Sequence, residues 1–311
     1  MNFRKEPFMK RISAALICIC MLMLCGCTNC ENNAFGDAGY TIDEVNIEIG
    51  LEKPISLLVI NDLHLQINND EIAPDQKDFM TNRIAEFSTG GLSTEKRWKN
   101  IPKLINAVDC DYVLFAGDIL DFNSEATTSA LKDGMDKIEK PFMYVRADHD
   151  MEGYWQAEPT TQATYDRQDA ICDNSELQVA DLGEVIIMGV NFSHNNISAE
   201  TLEEIRKVMD AGKPVVVLTH VPIGQKESTD LQEYSEAVRD GKRLYWAPGA
   251  DKWPDANTVE YILMIYAEDS PVVAVLAGHL HAKWEGKVSP NAIEHIFAPC
   301  FMNNVGIVNI R

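Results

Sequence analysis

Short apolar runs rich in β-branched residues alternate with longer, helix-like segments through most of this chain. The runs are ISLLVIND (55–62), DYVLFAGD (111–118), PFMYVRAD (141–148), EVIIMGVN (184–191), KPVVVLTH (213–220), PVVAVLAGH (271–279), EHIFAPC (294–300) and VGIVNIR (305–311). Several are apolar on both faces, as strands buried between layers are. Helix-like segments lie between them, at 94–108, 124–139, 198–211, 229–240 and 257–268. This alternation predicts an α/β fold with mainly parallel strands.

The charge balance of the chain is strongly acidic, with a formal net charge of −21 over 311 residues. A nucleic-acid-binding protein needs basic surface to neutralise phosphates, so we expect no nucleic-acid-binding surface here. The same charge repels anionic ligands at long range, and a phosphate ligand would require a local reversal of the field. A bound metal ion is the obvious source of that reversal.

Residues 9–27, MKRISAALICICMLMLCGC, combine a basic start, an apolar run and small residues. The apolar run of about 14 residues is shorter than the ~20 that span a bilayer, and a signal peptide over 1–26 fits better. The ending LCGC resembles a bacterial lipobox, which implies cleavage before Cys27 and lipid attachment to its thiol. We therefore expect an exported protein, anchored by lipid to a cell-surface or envelope membrane. A plain secretory signal and a poorly cleaved anchor are the alternatives.

Residues 27–50 are polar and acidic, so we expect a tether between the lipid and a single domain over 51–311. Residues 65–93 and 241–256 have the composition of insertions, which often carry function. The second of these contains three large aromatic residues: Tyr245, Trp246 and Trp253. They predict either a wall that packs an organic leaving group or an apolar cluster beneath a long loop.

Five of the predicted strands end in acidic or histidine residues of the kind that bind metals. These residues are Asp62 and His64, Asp118 followed by Asp121, Asp148-His149-Asp150, His220, and His279 with His281. Functional sites in parallel α/β sheets form at the carboxyl ends of strands, so we expect these side chains to converge on one edge. The spacings D-x-H and H-x-H place both side chains of a pair on the same side of an extended segment. The alternative is a set of ordinary polar loop residues. His194, in NFSHNN, and His295, at the start of a strand, are expected to be structural.

The motifs DLH, GDILD, ADHD, THVP and GHLH, in this order, resemble those of the calcineurin-like metallophosphoesterases over about residues 55–311. The resemblance implies a four-layer α/β/β/α sandwich that binds two divalent or mixed-valence metal ions. It implies one ion at Asp62, His64, Asp118 and His281, and a second at Asp118, Asp148, His220 and His279. Mixed Asp and His ligands suit Mn, Fe or Zn better than Ca.

The activity that this resemblance implies is phosphoester hydrolysis by a metallophosphoesterase. Two ions bind phosphoryl oxygens and activate a bridging hydroxide for in-line attack on phosphorus. His149 occupies the position of the family's catalytic histidine, near the leaving group. We therefore expect a hydrolase of small phosphomonoesters or phosphodiesters. The alternative is a non-catalytic surface lipoprotein on the same fold that binds metal or another ligand.

The chain departs from the family pattern just before His149, where Ala147 and Asp148 replace the usual Gly and Asn. The extra negative charge predicts tighter metal binding and a weaker electrophilic pull on phosphate, in a site that remains active. Asp150 is expected either to orient His149 through a carboxylate–histidine pair or to cap the following segment. Asp121 is expected to support a ligand from behind, or else to be a solvated loop acid.

Overall fold

The computed structural model describes residues 33–67, 74–152, 160–191, 196–249 and 254–311. The expected signal peptide, Cys27, His194 and Trp253 lie outside these ranges. Within them, no helix combines the length and the apolar character that a membrane span requires.

Two mixed sheets form the centre of the fold. Their strands are β1 (Thr41–Ile47), β2 (Ile55–Ile60), β3 (Tyr112–Ala116), β4 (Phe142–Val145), β5 (Leu177–Asp181), β6 (Ile186–Val190), β7 (Val215–Leu218), β8 (Val272–Ala277), β9 (Trp284–Lys287), β10 (Ile293–Ile296) and β11 (Asn304–Ile310). The first sheet has the order β1-β11-β2-β3-β4, and only β11 and β2 pair antiparallel. The second has the order β5-β6-β7-β8-β10-β9, with both outer pairs antiparallel.

Helices cover the outer face of each sheet. The described helices are α1 (Asn33–Asp37), α2 (Lys77–Phe87), α3 (Thr94–Ala107), α4 (Glu125–Met135), α5 (Asp148–Met151), α6 (Gln162–Asp169), α7 (Ala199–Met209), α8 (Asp230–Val238) and α9 (Ala256–Tyr266). Serine side chains begin α3, α4 and α7, because Ser93, Ser124 and Ser198 each accept a hydrogen bond from a first-turn backbone amide.

Three buried apolar clusters separate four layers. One packs α3 and α4 on the first sheet, through residues such as Trp98 and Leu131. A second packs α7 and α9 on the second sheet, through residues such as Ile205 and Ile262. The third fills the space between the two sheets and includes Leu57, Leu114, Val216 and Leu276. The expected four-layer α/β/β/α sandwich is confirmed.

The predicted tether over 27–50 is wrong for much of its length, because residues 41–47 form an edge strand of the first sheet. Strand β1 pairs parallel with β11, and its side chains alternate between exposed and buried. Val45 and Ile47 enter the core between the sheets, and Phe35 of α1 is also buried. Of its two acidic residues, Glu44 is exposed, whereas Asp43 is buried and accepts a hydrogen bond from Nζ of Lys283 at 2.8 Å.

Candidate metal centre

The strand ends of both sheets meet at one edge of the sandwich and bring their acidic and histidine side chains together. One group, with potential ligand atoms within 4.8 Å of one another, contains Asp62, His64, Asp118 and His281. A second group contains Asp118, His220 and His279, and a third contains Asp118, Asp148 and His149. Asp118 belongs to all three, whereas a fourth group, of His64, Asp121 and His149, lacks it. The first sheet supplies Asp62, His64, Asp118, Asp148 and His149, and the second sheet supplies His220, His279 and His281.

Most of these side chains stand on a backbone in the left-handed region. The φ angles are 46° at Asp62, 49° at His64, 51° at Asp118, 71° at His279 and 51° at His281. A non-glycine residue in this region costs on the order of 1–3 kcal/mol and is typical of functional sites. The sharp turns end the strands and direct successive polar side chains to the same edge.

Two glycines let the sheets approach each other closely at this edge. A Cβ atom on Gly117, whose φ is 80°, would lie 2.7 Å from the ring of His220. A Cβ atom on Gly278 would lie 2.6 Å from Oδ2 of Asp62. The glycines of the GDILD and GHLH motifs are therefore required by packing around the site.

Hydrogen bonds fix the tautomers of two histidines. Nδ1 of His220 donates to the backbone carbonyl of Ala116 at 2.8 Å. Nδ1 of His64 donates to Oδ1 of Asp121 at 2.9 Å. In the neutral rings the lone pair is then on Nε2, and in each histidine this nitrogen faces the cluster. Such second partners of ligating histidines are usual at metal sites.

The arrangement fits metal ions, because several lone pairs converge with nothing between them. Nε2 of His64 lies 3.0 Å from Nε2 of His281, and Nε2 of His220 lies 3.1 Å from Nδ1 of His279. Among the described residues, Oδ1 of Asp118 is buried and has no hydrogen-bond partner. A cation between these groups would satisfy atoms that are otherwise costly to bury. The Asp and His ligands suit first-row divalent ions.

The electrostatics of the cluster also favour a positive charge at its centre. Burial would raise the pKa of Asp118, but the imidazoles of His220 and His149 hold it well below its usual value. Burial would lower the pKa of His220, but Asp118 raises it to about 10. In the same way, Asp118, Asp148 and Asp121 outweigh burial and raise the pKa of His149 to about 9. Protons on these rings occupy the place in the charge balance that metal ions would take.

His149 lies beside the cluster, at the wall of a cleft of about 520 Å³ that also exposes Asp118, Asp148 and His279. Its Nδ1 donates to the backbone carbonyl of Asp121 at 3.0 Å. This bond leaves Nε2 as the nitrogen that can act on a ligand in the cleft.

One of the two expectations for Asp150 was that it orients His149. The hydrogen bonds of its carboxylate do not meet this expectation. Its fully buried carboxylate accepts hydrogen bonds from the backbone amides of Asp118 at 2.9 Å, Leu120 at 2.8 Å and Ala147 at 2.9 Å. The Tyr144 hydroxyl is a fourth donor. The bond from the amide of Ala147 caps α5, as the other expectation held. The bonds from the amides of Asp118 and Leu120 tie this turn to the loop that carries Asp118.

Asp121 is buried directly behind His64 and is not a solvated loop acid. It also accepts hydrogen bonds from Gln66 and from Arg83, whose Nε lies 3.0 Å from Oδ2. Arg83 in turn covers the ring of Phe87, and Phe87 stacks on His64 with ring centroids 4.1 Å apart. Arg83 and Phe87 were not predicted as site residues, because both belong to α2, inside the segment taken as an insertion.

The aromatic residues of the 241–256 segment divide between two places. Trp246 is fully buried in the cluster beneath α9, which is the apolar-cluster alternative. The aliphatic Leu244 lines the cleft beside His149, and Tyr245 packs half-buried with Leu231 and Leu280. The described aromatic residues of this segment therefore form no wall of the cleft.

Comparison with known proteins gave no significant match among curated sequences. Among solved structures, a dimetal phosphatase from Danio rerio is 10% identical, covers 80% of this chain and 88% of its own, and has a TM-score of 0.43. A purple acid phosphatase from yellow lupin (Lupinus luteus) seeds is 12% identical, covers 79% and 44%, and has a TM-score of 0.46. A phosphopantetheinyl hydrolase from Mycobacterium tuberculosis is 13% identical, covers 78% and 89%, and has a TM-score of 0.42.

The sequence model of one protein family spans most of the region that carries the site. It is described as calcineurin-like phosphoesterase, and it matches residues 55–283. The match runs from the first residue of β2 to just beyond His281, and so it includes every Asp and His of the three groups. The chain belongs to the calcineurin-like phosphoesterase family.

Proposed function

We propose that this protein is a dimetal-dependent phosphoester hydrolase. The observation that carries the proposal is the meeting of two Asp/His groups at the shared residue Asp118, with His149 beside them in the same cleft. Metal binding alone does not require the imidazole of His149, whose Nδ1 is hydrogen-bonded and whose Nε2 is available to a ligand. A small phosphomonoester or phosphodiester is the substrate class that two adjacent divalent ions suit.

The proposed ligands divide between two ions that share Asp118. Asp62, His64, Asp118 and His281 would hold one, and Asp118, Asp148, His220 and His279 would hold the other. Manganese, iron or zinc suits these ligands. When bound, such ions supply Lewis acidity to phosphoryl oxygens and lower the pKa of water.

The remaining steps depend on side chains of the chain itself. His149 donates a proton from Nε2 to the leaving oxygen, while its Nδ1 bond to the Asp121 carbonyl fixes the ring plane. Asp121, with Arg83 against it, holds the ring of His64 in the tautomer that presents Nε2 to the cluster. The strained turns keep these groups in place before substrate arrives.

Hydrolysis assays on the chain from residue 28 onward, stripped of metal and reloaded with Mn, Fe or Zn, test this proposal. Metal-dependent turnover of nitrophenyl phosphate or bis-nitrophenyl phosphate is expected, and the preferred ester decides between monoesterase and diesterase. His149→Ala should lower kcat roughly 10²- to 10⁴-fold with unchanged metal content. His295→Ala, outside the three groups, is the matched control. Two bound ions without turnover would favour the non-catalytic lipoprotein.

We also propose that the protein is exported and anchored in the membrane by lipid on Cys27. The support is the basic start, the apolar run and the LCGC ending of residues 9–27. Cells fed a labelled fatty acid should incorporate the label into the wild-type protein and not into Cys27→Ala. Equal labelling of the two proteins, or none in either, would contradict lipidation at this residue.

A further inference from the structure

One wall of the cleft at the candidate metal centre comes from a segment that contains no candidate metal ligand. Residues 238–244, which run from the end of α8 into the following turn, contribute Arg239, Asp240, Lys242 and Leu244 to the lining. The same cleft is lined by Asp118, Asp148 and four of the site histidines: His64, His149, His279 and His281. A substrate bound at the metal centre would therefore meet this segment.

The segment is a fixed turn. Ser235 of α8 ties the end of the segment back to the helix, because its hydroxyl donates to the carbonyl of Lys242 and accepts from the amide of Leu244, both at 2.9 Å. The amide of Lys242 donates to the carbonyl of Arg239 at 3.0 Å, and the amide of Gly241 donates to the backbone carbonyl of Glu236 at 2.8 Å. A turn held in this way presents its side chains from a defined backbone.

Two of the three basic side chains of this turn, those of Arg239 and Lys242, are not neutralised by a described carboxylate. No hydrogen bond or ion pair to the side chain of Arg239 or Lys242 occurs among the described residues. Glu236, one turn earlier, is engaged instead by Arg243, whose Nε lies 2.6 Å from Oε1. Asp240 is the one acidic residue within the turn, so the turn keeps a net positive charge.

Arg83, the third basic residue that lines the cleft, is already paired with acidic side chains of the protein. Arg83 bonds to Asp121 and lies 3.5 Å from Glu86, the other acid that lines the cleft outside the metal cluster. Arg239 lines the same cleft as Asp118 and His279. In a chain with a net charge of −21, this unneutralised positive turn opposes the general field.

We propose that Arg239 and Lys242 form a second anion subsite, and that the preferred substrates are phosphoesters whose alcohol part carries a second phosphate-type anion. The inference rests on the proposed hydrolase function and narrows its substrate class. Arg239 offers the planar donor pattern that binds phosphate in pairs of hydrogen bonds, and Lys242 adds a mobile point charge. The metal ions would bind the phosphoryl group that reacts, and the turn would bind the one that does not.

The test compares two substrates that share the scissile ester, phenyl phosphate and 4-(phosphonomethyl)phenyl phosphate. The phosphonate cannot be hydrolysed, and its methylene group limits its effect on the leaving phenol. The wild-type protein should prefer the second substrate in kcat/KM, and added salt should reduce the preference. The double variant with Arg239→Gln and Lys242→Gln should lose roughly tenfold of this ratio, as expected for charge-assisted hydrogen bonds.

A control for charge removal takes one positive charge from elsewhere on the surface. Lys103 is exposed on α3 and does not line the cleft, so Lys103→Gln should leave both turnover and the ratio unchanged. Equal wild-type kcat/KM for the two substrates, or a ratio that the double variant keeps, would overturn the subsite while the hydrolase stands. Absence of metal-dependent turnover with both substrates and with nitrophenyl phosphate would instead contradict the hydrolase itself.

Discussion

The backbone amide of Asp118 donates a hydrogen bond to Oδ2 of Asp150 at 2.9 Å, so a fully buried carboxylate fixes the residue that all three groups share. Asp150→Ala would leave the amides of Asp118, Leu120 and Ala147 without this acceptor. An unsatisfied buried donor costs about 1–3 kcal/mol, so we expect a loss of at least 3 kcal/mol in the free energy of unfolding. Urea denaturation of the metal-free protein measures it.

The control for this prediction is Asp133→Ala, at an exposed position of α4. It should change the free energy of unfolding by less than about 0.5 kcal/mol. If Asp150→Ala kept its stability and lost only kcat, the carboxylate would act on His149 after all.

Asp148→Asn restores the residue that is usual in the family and removes one negative charge beside Asp118. We expect weaker binding of the second metal ion, by roughly tenfold or more, because a neutral amide oxygen replaces a carboxylate. At saturating metal, kcat should be maintained or raised, since less negative charge opposes the phosphoryl group. Metal titration by calorimetry followed by steady-state kinetics measures both. Unchanged affinity would show that Asp148 is not a ligand.

Metal ions should stabilise the folded protein by linkage, because they bind a cluster that exists only in the native state. A ligand at 100 times its Kd adds about 2.7 kcal/mol to the free energy of unfolding, so Tm should rise with metal concentration. Differential scanning calorimetry with and without chelator measures this shift. Asp118→Asn, which alters the shared residue, should remove most of it. A wild-type Tm that does not change with metal concentration would contradict the proposed site.

Glu294 of β10 provides a pH dependence of stability that is independent of the metal centre. Burial raises the pKa of its carboxyl from 4.5 to about 8, although Oε1 accepts a hydrogen bond from the amide of Ile223 at 2.7 Å. Its stabilising contribution is complete below pH 4.5 and is lost as the pH rises towards 8, because the unfolded state ionises first.

Glu294→Gln keeps the acceptor and cannot ionise. Relative to the wild type, this variant should gain on the order of 3–5 kcal/mol in the free energy of unfolding between pH 4.5 and 8. Glu268→Gln, at an exposed position, should show a flat difference over the same range. A flat difference for Glu294→Gln as well would mean that Glu294 is charged in the native state. Urea titrations at several pH values measure both differences.

The sequence predicted the sandwich well where its strands are apolar on both faces. The runs that became β2, β3, β7 and β8 are buried between layers, so hydrophobicity alone identifies them. The edge strands β1, β5 and β9 escaped prediction because an edge strand keeps polar residues on one face.

The residues that form the site were also predictable from the sequence. The residues that hold them in position were not. Metal-type residues at strand ends follow from the topology of parallel sheets. The partners of Asp150 and Asp121 depend on which backbone amides and which helix pack behind them, and sequence spacing does not reveal either. The roles of Arg83 and Arg239 likewise could not be predicted from the sequence, because they depend on α2 and the turn after α8 lying beside the cleft.

Strand β11 lies between β1 and β2, and this position constrains the order in which the first sheet can form. Residues 304–310 come later in the sequence than every other described strand, so the facing edges of β1 and β2 stay unpaired until β11 is in place. Both pairings join distant parts of the chain, and such long-range pairing is slow to form. The cohesion of the first sheet therefore depends on a closure step between residues that are far apart in sequence.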